Sequence, residues 1–355
     1  MKRGFTKMKK ILIVLTVCMF ACGMLFSSAL AAPPHPGARP LKVAVVVPAS
    51  VTDQGWNQMG ADGVLKLQDK WHLTVEVAEN QGYGDIKPVL RDLARKGFDL
   101  IIAHASGYQT MAPEVASERN VRVAIVENPD AIKSGLVSSY EGEAQKGAYI
   151  AGVLAAYMTR TNVVGCITSA EVPDWNRMTV GFMEGVHSVN PKIRFLYNVI
   201  GEAAYEDAAG GKRNTEAQIA AGADVIFGMG DGASFGIMKA CEENKARDGG
   251  KVWFIDVIGD KSGIDSKGIL LGSVLWNFDV IYEMMLIDVY CGRFGGDYRQ
   301  TLENGGIELA LYKDIPSRAM AAMKQAQEGI TSGRLTVSNI PDTREMRSYM
   351  KRLFR

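Results

Sequence analysis

The chain is most constrained by one alternation that it carries twice. Apolar, β-branched runs bounded by turn residues recur at Leu41 to Val47, Leu73 to Val77, Leu100 to Ala103 and Val121 to Val126. Amphipathic stretches separate them: Met59, Val64, Leu65 and Leu67 keep helical spacing in the first interval, and Val89, Leu90 and Leu93 in the second. Strands without polar alternation are buried on both faces, so the pattern predicts a parallel sheet covered by helices on each side. An Ala-rich helical segment, Glu143 to Thr159, interrupts it, with Gly147 and Gly152 suited to close packing at a junction. The alternation then restarts at Val163 to Thr168, Ile193 to Val199, Val225 to Phe227, Val252 to Ile258 and Ile269 to Leu275. Beyond it, Phe278 to Val289 and Ala319 to Ile330 read as helices and Ile307 to Leu311 as a strand. Two doubly wound parallel-sheet α/β lobes are expected, joined by a hinge with a ligand cleft between them. Lobe one takes residues 41–158 and roughly 278–312; lobe two takes residues 160–276 and roughly 313–345.

Residues 1–31 read as a secretory signal peptide. Lys2, Arg3, Lys7, Lys9 and Lys10 precede an apolar run from Ile11 to Phe26, and Ala29-Leu30-Ala31 supplies the small-residue cleavage pattern. A flexible mature N-terminus, 32–40, follows. A retained membrane anchor and a lipid on Cys22 are the alternatives; release into the periplasm or its equivalent is preferred because Met19-Phe20-Ala21 is a poor lead-in to lipidation. Removing those five basic side chains leaves 35 Lys and Arg against 39 Asp and Glu. With no basic stripe to neutralise phosphates, nucleic acid is not expected as a partner. Cys166, Cys241 and Cys291 match no metal or redox spacing and read as buried small hydrophobes.

In an open parallel sheet, ligands bind beyond the carboxyl ends of the strands. At the first such handover stands Thr52-Asp53-Gln54-Gly55-Trp56-Asn57. Asp53 reads equally as the N-cap of the following helix and as a ligand group; Trp56 reads as a stacking face more than as core. Tyr108, in Ala105-Ser106-Gly107-Tyr108, holds the equivalent place after the third strand, with core packing as the alternative. His104 reads as a hydrogen-bonded sheet-end residue. In the second lobe the handovers carry Trp175, Tyr205, Asp231, Asp256 and Trp276, each an aromatic or an acid at a strand end. A shared cleft is the economical explanation for so many coincidences.

Gly228-Met229-Gly230-Asp231-Gly232-Ala233 resembles a dinucleotide fingerprint, with Asp256 downstream, and is the best argument for an exported oxidoreductase. Its place late in the chain rather than in a first βα turn argues against that. No nucleophile elbow, zinc helix, phosphate loop or Cys/His metal spacing accompanies it. Binding without chemistry, without cofactor or metal, is the expectation.

Taken together, these motifs resemble the basic membrane protein family of ABC-importer solute-binding proteins, which includes purine nucleoside and nucleobase receptors. The landmarks are Asp53-Gln54-Gly55-Trp56-Asn57, Ser106-Gly107-Tyr108, Tyr140-Glu141-Gly142-Glu143 with Gly147-Ala148-Tyr149-Ile150-Ala151-Gly152, Gly181-Phe182-Met183-Glu184-Gly185 with Asn190-Pro191, and Gly222-Ala223-Asp224-Val225-Ile226-Phe227. The resemblance implies the type I periplasmic-binding fold, three crossings between lobes, a monomer, an ABC permease as membrane partner, and a purine-like ring held between aromatic side chains. It places Trp56 and Tyr108 among the aromatics, Asp53 and Asn57 among the polar groups of the first loop, and Trp175, Tyr205, Asp231 and Asp256 on loops of the second lobe. Two departures bear on the ligand. Where nucleoside receptors of the family carry a lysine after the strand ending at Leu275, this chain has Trp276-Asn277; and a Gly-Thr-Gly-Asn-type turn is replaced by Gly230-Asp231-Gly232-Ala233. An indole in place of that lysine points to a free nucleobase or related heteroaromatic. A nucleoside receptor and a ligand sensor for a membrane receptor remain the alternatives. Asp231 reads either as an acceptor for a ring N–H or exocyclic amine or as a stabiliser of its own turn.

Overall fold

In the computed structural model, residues 39–354 are described. The expected signal peptide, Cys18, Cys22 and most of the 32–40 segment lie outside them. The first sheet is built from β1 (Lys42–Val46), β2 (Thr74–Ala78), β3 (Leu100–Ala103), β4 (Arg122–Val126), β5 (Val137–Gly142) and β11 (Asp297–Gln300). They run in the order β11-β5-β4-β3-β1-β2, with every pairing parallel. The second sheet repeats this winding. It comprises β6 (Val163–Thr168), β7 (Arg194–Val199), β8 (Val225–Met229), β9 (Trp253–Ile258), β10 (Leu270–Trp276) and β12 (Ile307–Leu311), ordered β12-β10-β9-β8-β6-β7. Only β12 is antiparallel, against β10. Each sheet reverses direction beside its first strand, at β1/β3 and at β6/β8, so each has its switch-point crevice at the carboxyl ends of those strands.

Helices cover both faces: α1 (Trp56–Trp71), α2 (Lys87–Arg95), α3 (Met111–Arg119), α4 (Ala144–Met158), α5 (Pro173–Val189), α6 (Ala208–Ala220), α7 (Ala233–Glu243), α8 (Phe278–Tyr290), α9 (Ser317–Thr331) and α10 (Thr343–Leu353). The chain passes between sheets three times, after β5, after β10 and between β11 and β12.

Two segments sit differently from the expected lobe ranges. Helix α4, expected with lobe one, lies on the second sheet. Gly147 packs on Val274 and Ile307, and a Cβ on Gly152 would stand 2.1 Å from the carbonyl oxygen of Phe182 in α5. A Cβ on Gly185 would likewise stand 2.0 Å from the oxygen of Tyr149, so α4 and α5 meet backbone to backbone. Strand β12, also expected in lobe one, extends the second sheet because its register with β10, Gly272 opposite Leu311 through Trp276 opposite Ile307, continues that ladder. The last helix runs past the expected end near 345. Asp342 caps it, accepting the Glu345 N–H at 2.9 Å, and Asn176 donates to Pro341 and Thr343 to hold it on α5. Cys166 and Cys241 are buried as expected, whereas Cys291, at the end of α8, is exposed.

Candidate functional site

The loop between β1 and α1 is organised by a carboxylate. Asp53 accepts the N–H groups of Gly55, Asn57 and Gln58, each at 3.0 Å, and the Asn57 side-chain amide at 2.7 Å. Asn57 in turn accepts the Ala49 N–H at 3.2 Å. Both side chains are buried and spend their hydrogen-bonding capacity on satisfying the start of α1, whose first N–H groups have no partner within the helix.

That cap sets the direction of Trp56, the first residue of α1. Its Nε1 donates to the carbonyl oxygen of His104 at 2.9 Å, its ring stacks on the His104 imidazole at 4.4 Å, and Trp276 and Phe278 approach it edge-on at 5.6 and 5.3 Å. His104 is fully buried at the end of β3. Its Nε2 lies 3.0 Å from the Trp56 carbonyl oxygen. A carbonyl can only accept, so Nε2 carries the proton and Nδ1 faces the hydroxyls of Tyr140 and Tyr282 at 2.6 and 2.9 Å. Burial holds this imidazole down to about pKa 3, with the Trp56 carbonyl opposing. It is a neutral bracket for the indole.

Beyond this bracket opens a cavity of about 430 Å³ between the switch points of the two sheets. That volume falls in the roughly 300–1,000 Å³ range of small-molecule sites. Its walls include Trp56, Tyr83, Trp175, Tyr205 and Trp276, with Glu127, Asp174, Arg177 and Asp231. Trp175 is anchored by its Nε1 donating to Ser169 at 3.1 Å. The Trp276 ring lies against Gly142 at the first crossing, where a Cβ would come within 2.8 Å of the indole. Trp276 is 3% exposed, and its Nε1 has no hydrogen-bond partner among the described residues.

Asp231, in the loop between β8 and α7, reaches over to the other lobe. Its Oδ1 accepts the Trp56 backbone N–H at 3.1 Å. Gly55 permits the approach, since a Cβ there would lie 2.8 Å from that oxygen. Burial, then the neighbouring Asp53 and Glu206, push the Asp231 carboxyl up to about 7, with the Trp56 N–H pulling the other way.

On another wall, Arg177 of α5 touches Glu127 at 3.0 Å, Glu141 at 2.6 Å and Asp174 at 2.8 Å from one nitrogen. Glu127 and Glu141 belong to the first lobe, so this guanidinium bridges the cleft. Burial, with Glu127 beside it, holds the Asp174 carboxyl well above the usual carboxylate range, against the pull of Arg177.

Of the residues named from the sequence, Trp56, Trp175, Tyr205, Asp231 and Trp276 come together on this wall. The others lie behind it. Asp53 and Asn57 form the cap described above. Tyr108 is fully buried, and its hydroxyl holds the Gly82 carbonyl at 2.5 Å. Asp256 is fully buried against Lys261 at 2.6 Å and accepts from Ser234 at 2.8 Å. Tyr83, Glu127 and Arg177 line the cavity without having been singled out. Tyr83 sits in a Gly82-Tyr83-Gly84 loop with no periodic context; Arg177 follows Trp175 by two residues and is visible only once α5 is placed at the cleft.

Two like-wound lobes around an aromatic cavity define the architecture of a type I solute-binding protein. A solute-binding protein of an ABC transporter from Aeropyrum pernix K1 superposes with a TM-score of 0.76 at 20% identity, covering 88% of this chain and 97% of that one. Residues 41–340 match the family described as ABC transporter substrate-binding protein PnrA-like. The chain belongs to this Bmp family. Its relatives include the ABC transporter nucleoside-binding protein BmpA of Lactococcus lactis, 27% identical over 84% of this chain and 89% of that one. A purine-binding protein of Brucella abortus is 31% identical over 43% of this chain and 45% of its own length. Among the described residues no helix is long and apolar enough to cross a membrane.

Proposed function

We propose that the protein is the extracytoplasmic receptor of an ABC importer for a purine nucleobase or a closely related heteroaromatic, which it delivers to a membrane permease. The observation that carries this reading is the enclosure of three indoles, Trp56, Trp175 and Trp276, with the Asp231 carboxyl around one cavity. Aromatic faces favour a flat ring, each stacked base being worth about 1–3 kcal/mol, and carboxyl groups supply hydrogen bonds to its edge. The nucleoside-binding relative from L. lactis and the purine-binding relative from B. abortus support the purine class. Trp276 supports the free base over the nucleoside, because its indole occupies the space beside Gly142 and so leaves less room for a sugar. Walls already fixed by Ser169 and His104 keep the ordering cost of binding small.

Isothermal titration with adenine, guanine, hypoxanthine and their nucleosides tests the reading. Saturable binding of bases with weaker or absent binding of nucleosides is expected. Tighter binding of nucleosides would restore sugar recognition, and heatless mixing with every purine would refute the ligand class.

A further inference from the structure

Resting on the reading of the cavity as a heteroaromatic receptor, the charge of its walls narrows what the ring carries. Two groups of acids flank the indoles. One carboxylate oxygen from each of Asp53, Glu206 and Asp231 lies within 4.8 Å of the other two, and the same holds for Glu127, Glu141 and Asp174. Of these, Glu127, Asp174 and Asp231 line the cavity. In the second group a single guanidinium nitrogen of Arg177 is divided among three acids. The first group makes no ion pair among the described residues, since Lys261, the cation that bears on Asp231, is committed to Asp256 and to the Gln54 carbonyl. Acids therefore outnumber cations on both sides of the cleft.

Neither group is shaped for a metal ion. Asp53 commits both oxygens to the N–H groups of Gly55, Asn57 and Gln58 and to the Asn57 amide, and Arg177 already stands within 3.0 Å of each acid in the other group. Asp231 is 6% exposed and lies on the cavity wall, and it gives only Oδ1 to the Trp56 N–H. Its Oδ2 has no hydrogen-bond partner among the described residues. Around it stand the rings of Trp56, Trp175, Trp276, Tyr83 and Tyr205. Aromatic faces are negative at their centres and attract a cation within about 6 Å. A neutral ring uses these faces and leaves the excess of acids uncompensated; a positively charged ring uses both.

We propose that the solute is a cationic nitrogen heteroaromatic, quaternised or protonated on a ring nitrogen, lying among the indoles with its charge beside Asp231.

The titration of Asp231 supplies a readout. Burial, then Asp53 and Glu206, push this carboxyl up to about 7, against the Trp56 N–H and Lys261; Tyr83 and Tyr205 also face it. A cation beside it favours the ionised form, so binding displaces a proton wherever the free protein still holds one. Affinity for a cation should rise as pH approaches neutrality and level off above it.

The test is titration calorimetry of the purified protein between about pH 6 and about pH 8 with two methylated forms of 9-methyladenine that share the same heavy atoms. One is methylated on a ring nitrogen and cationic throughout; the other is methylated on the exocyclic amine and neutral. The cation is expected to bind at least about tenfold more tightly at the upper pH. Its affinity should climb by up to about tenfold per unit below neutrality, while that of the neutral ring stays level. Asp231→Asn, which keeps an acceptor for the Trp56 N–H, should remove most of the cation's advantage and flatten its profile, with the neutral ring bound as before. Glu206→Gln, at an exposed position, should reduce the same advantage by a smaller factor. Equal affinities, a preference for the neutral ring, or a cation preference that survives both substitutions would overturn this inference and leave the purine reading standing. Failure of both forms and of adenine to bind at any pH would overturn both.

Discussion

Lys261 of the second lobe, fully buried, donates from Nζ to the carbonyl oxygen of Gln54 in the first lobe at 2.8 Å while holding Asp256 at 2.6 Å. Gln54 has a positive φ of 46°, which lets its carbonyl meet this cation, and Gly259 packs against the same oxygen. The buried pair thus fastens the β9 end of lobe two to the loop that carries Trp56. Removing one partner of a buried ion pair strands the other charge, at a cost of about 3–5 kcal/mol. Lys261→Met should therefore lower stability by that order in chemical denaturation. The double variant Lys261→Met/Asp256→Leu should recover most of it; no recovery would show that the Gln54 contact, rather than the stranded carboxylate, carries the loss.

Trp56 joins ligand binding to stability. Its ring meets His104, Trp276 and Phe278, and its Nε1 is hydrogen-bonded, so it is both a wall of the cavity and part of the packing behind it. Trp56→Ala should weaken binding of a purine base by one to two orders of magnitude, about 1–3 kcal/mol for a lost stack. It should also lower the unfolding free energy by about 2–4 kcal/mol. Trp56→Phe, which keeps the apolar bulk but not the donor, should recover more stability than affinity in paired calorimetry and denaturation measurements.

His104 gives a pH signature. Its folded pKa of about 3 lies below the usual 6.5, so on acidification the unfolded chain takes up a proton that the folded chain refuses. Stability from this group is present above pH 6.5 and is lost as pH falls toward 3, at up to about 1.4 kcal/mol per unit. His104→Gln should have a shallower acid limb than the wild type, at a lower absolute stability since its hydrogen bonds to Tyr140 and Tyr282 are altered. Parallel limbs would place a proton on His104 in the folded state.

The legible parts of the fold were those in which packing alone chooses the residue. Strands β1, β3, β4, β6 and β9 are buried on both faces, and their runs of Val, Ile and Ala announce them. Strands β5 and β11 were not legible because tertiary hydrogen bonds replace apolar burial there. Ser138 accepts the Gly295 N–H and Ser139 the Asn128 N–H, and Tyr298 donates to Asp288. The antiparallel entry of β12 is equally silent locally, since pairing partner and sense are set by the third crossing. At the site, the rule that side chains beyond strand ends line a crevice located Trp56, Trp175, Tyr205, Asp231 and Trp276. It does not distinguish side chains that face the crevice from those that build its floor. Tyr108 turns inward to tie the Gly82 loop, and Asp53 folds back onto the helix it starts. Periodicity carries no sign of Arg177 either, because its partners Glu127 and Glu141 come from the opposite lobe.

Trp276 offers the most direct handle on what enters the cavity. It closes β10 at the second crossing, lies over Gly142 at the first, and is nearly excluded from solvent. Because two crossings meet at this ring, its volume is subtracted from the cavity where the lobes join. Trp276→Ala removes the indole from a wall braced independently by Trp56 on His104, so the space opened should persist. Nucleoside affinity should rise by about tenfold or more relative to the base, while the free base loses about 1–3 kcal/mol from the missing ring. Trp276→Lys should give the same direction for nucleosides, with an added donor on the sugar side. If neither variant gains nucleoside affinity in calorimetry, the indole is not what excludes the sugar, and the restriction lies instead with the Arg177 bridge on the other wall.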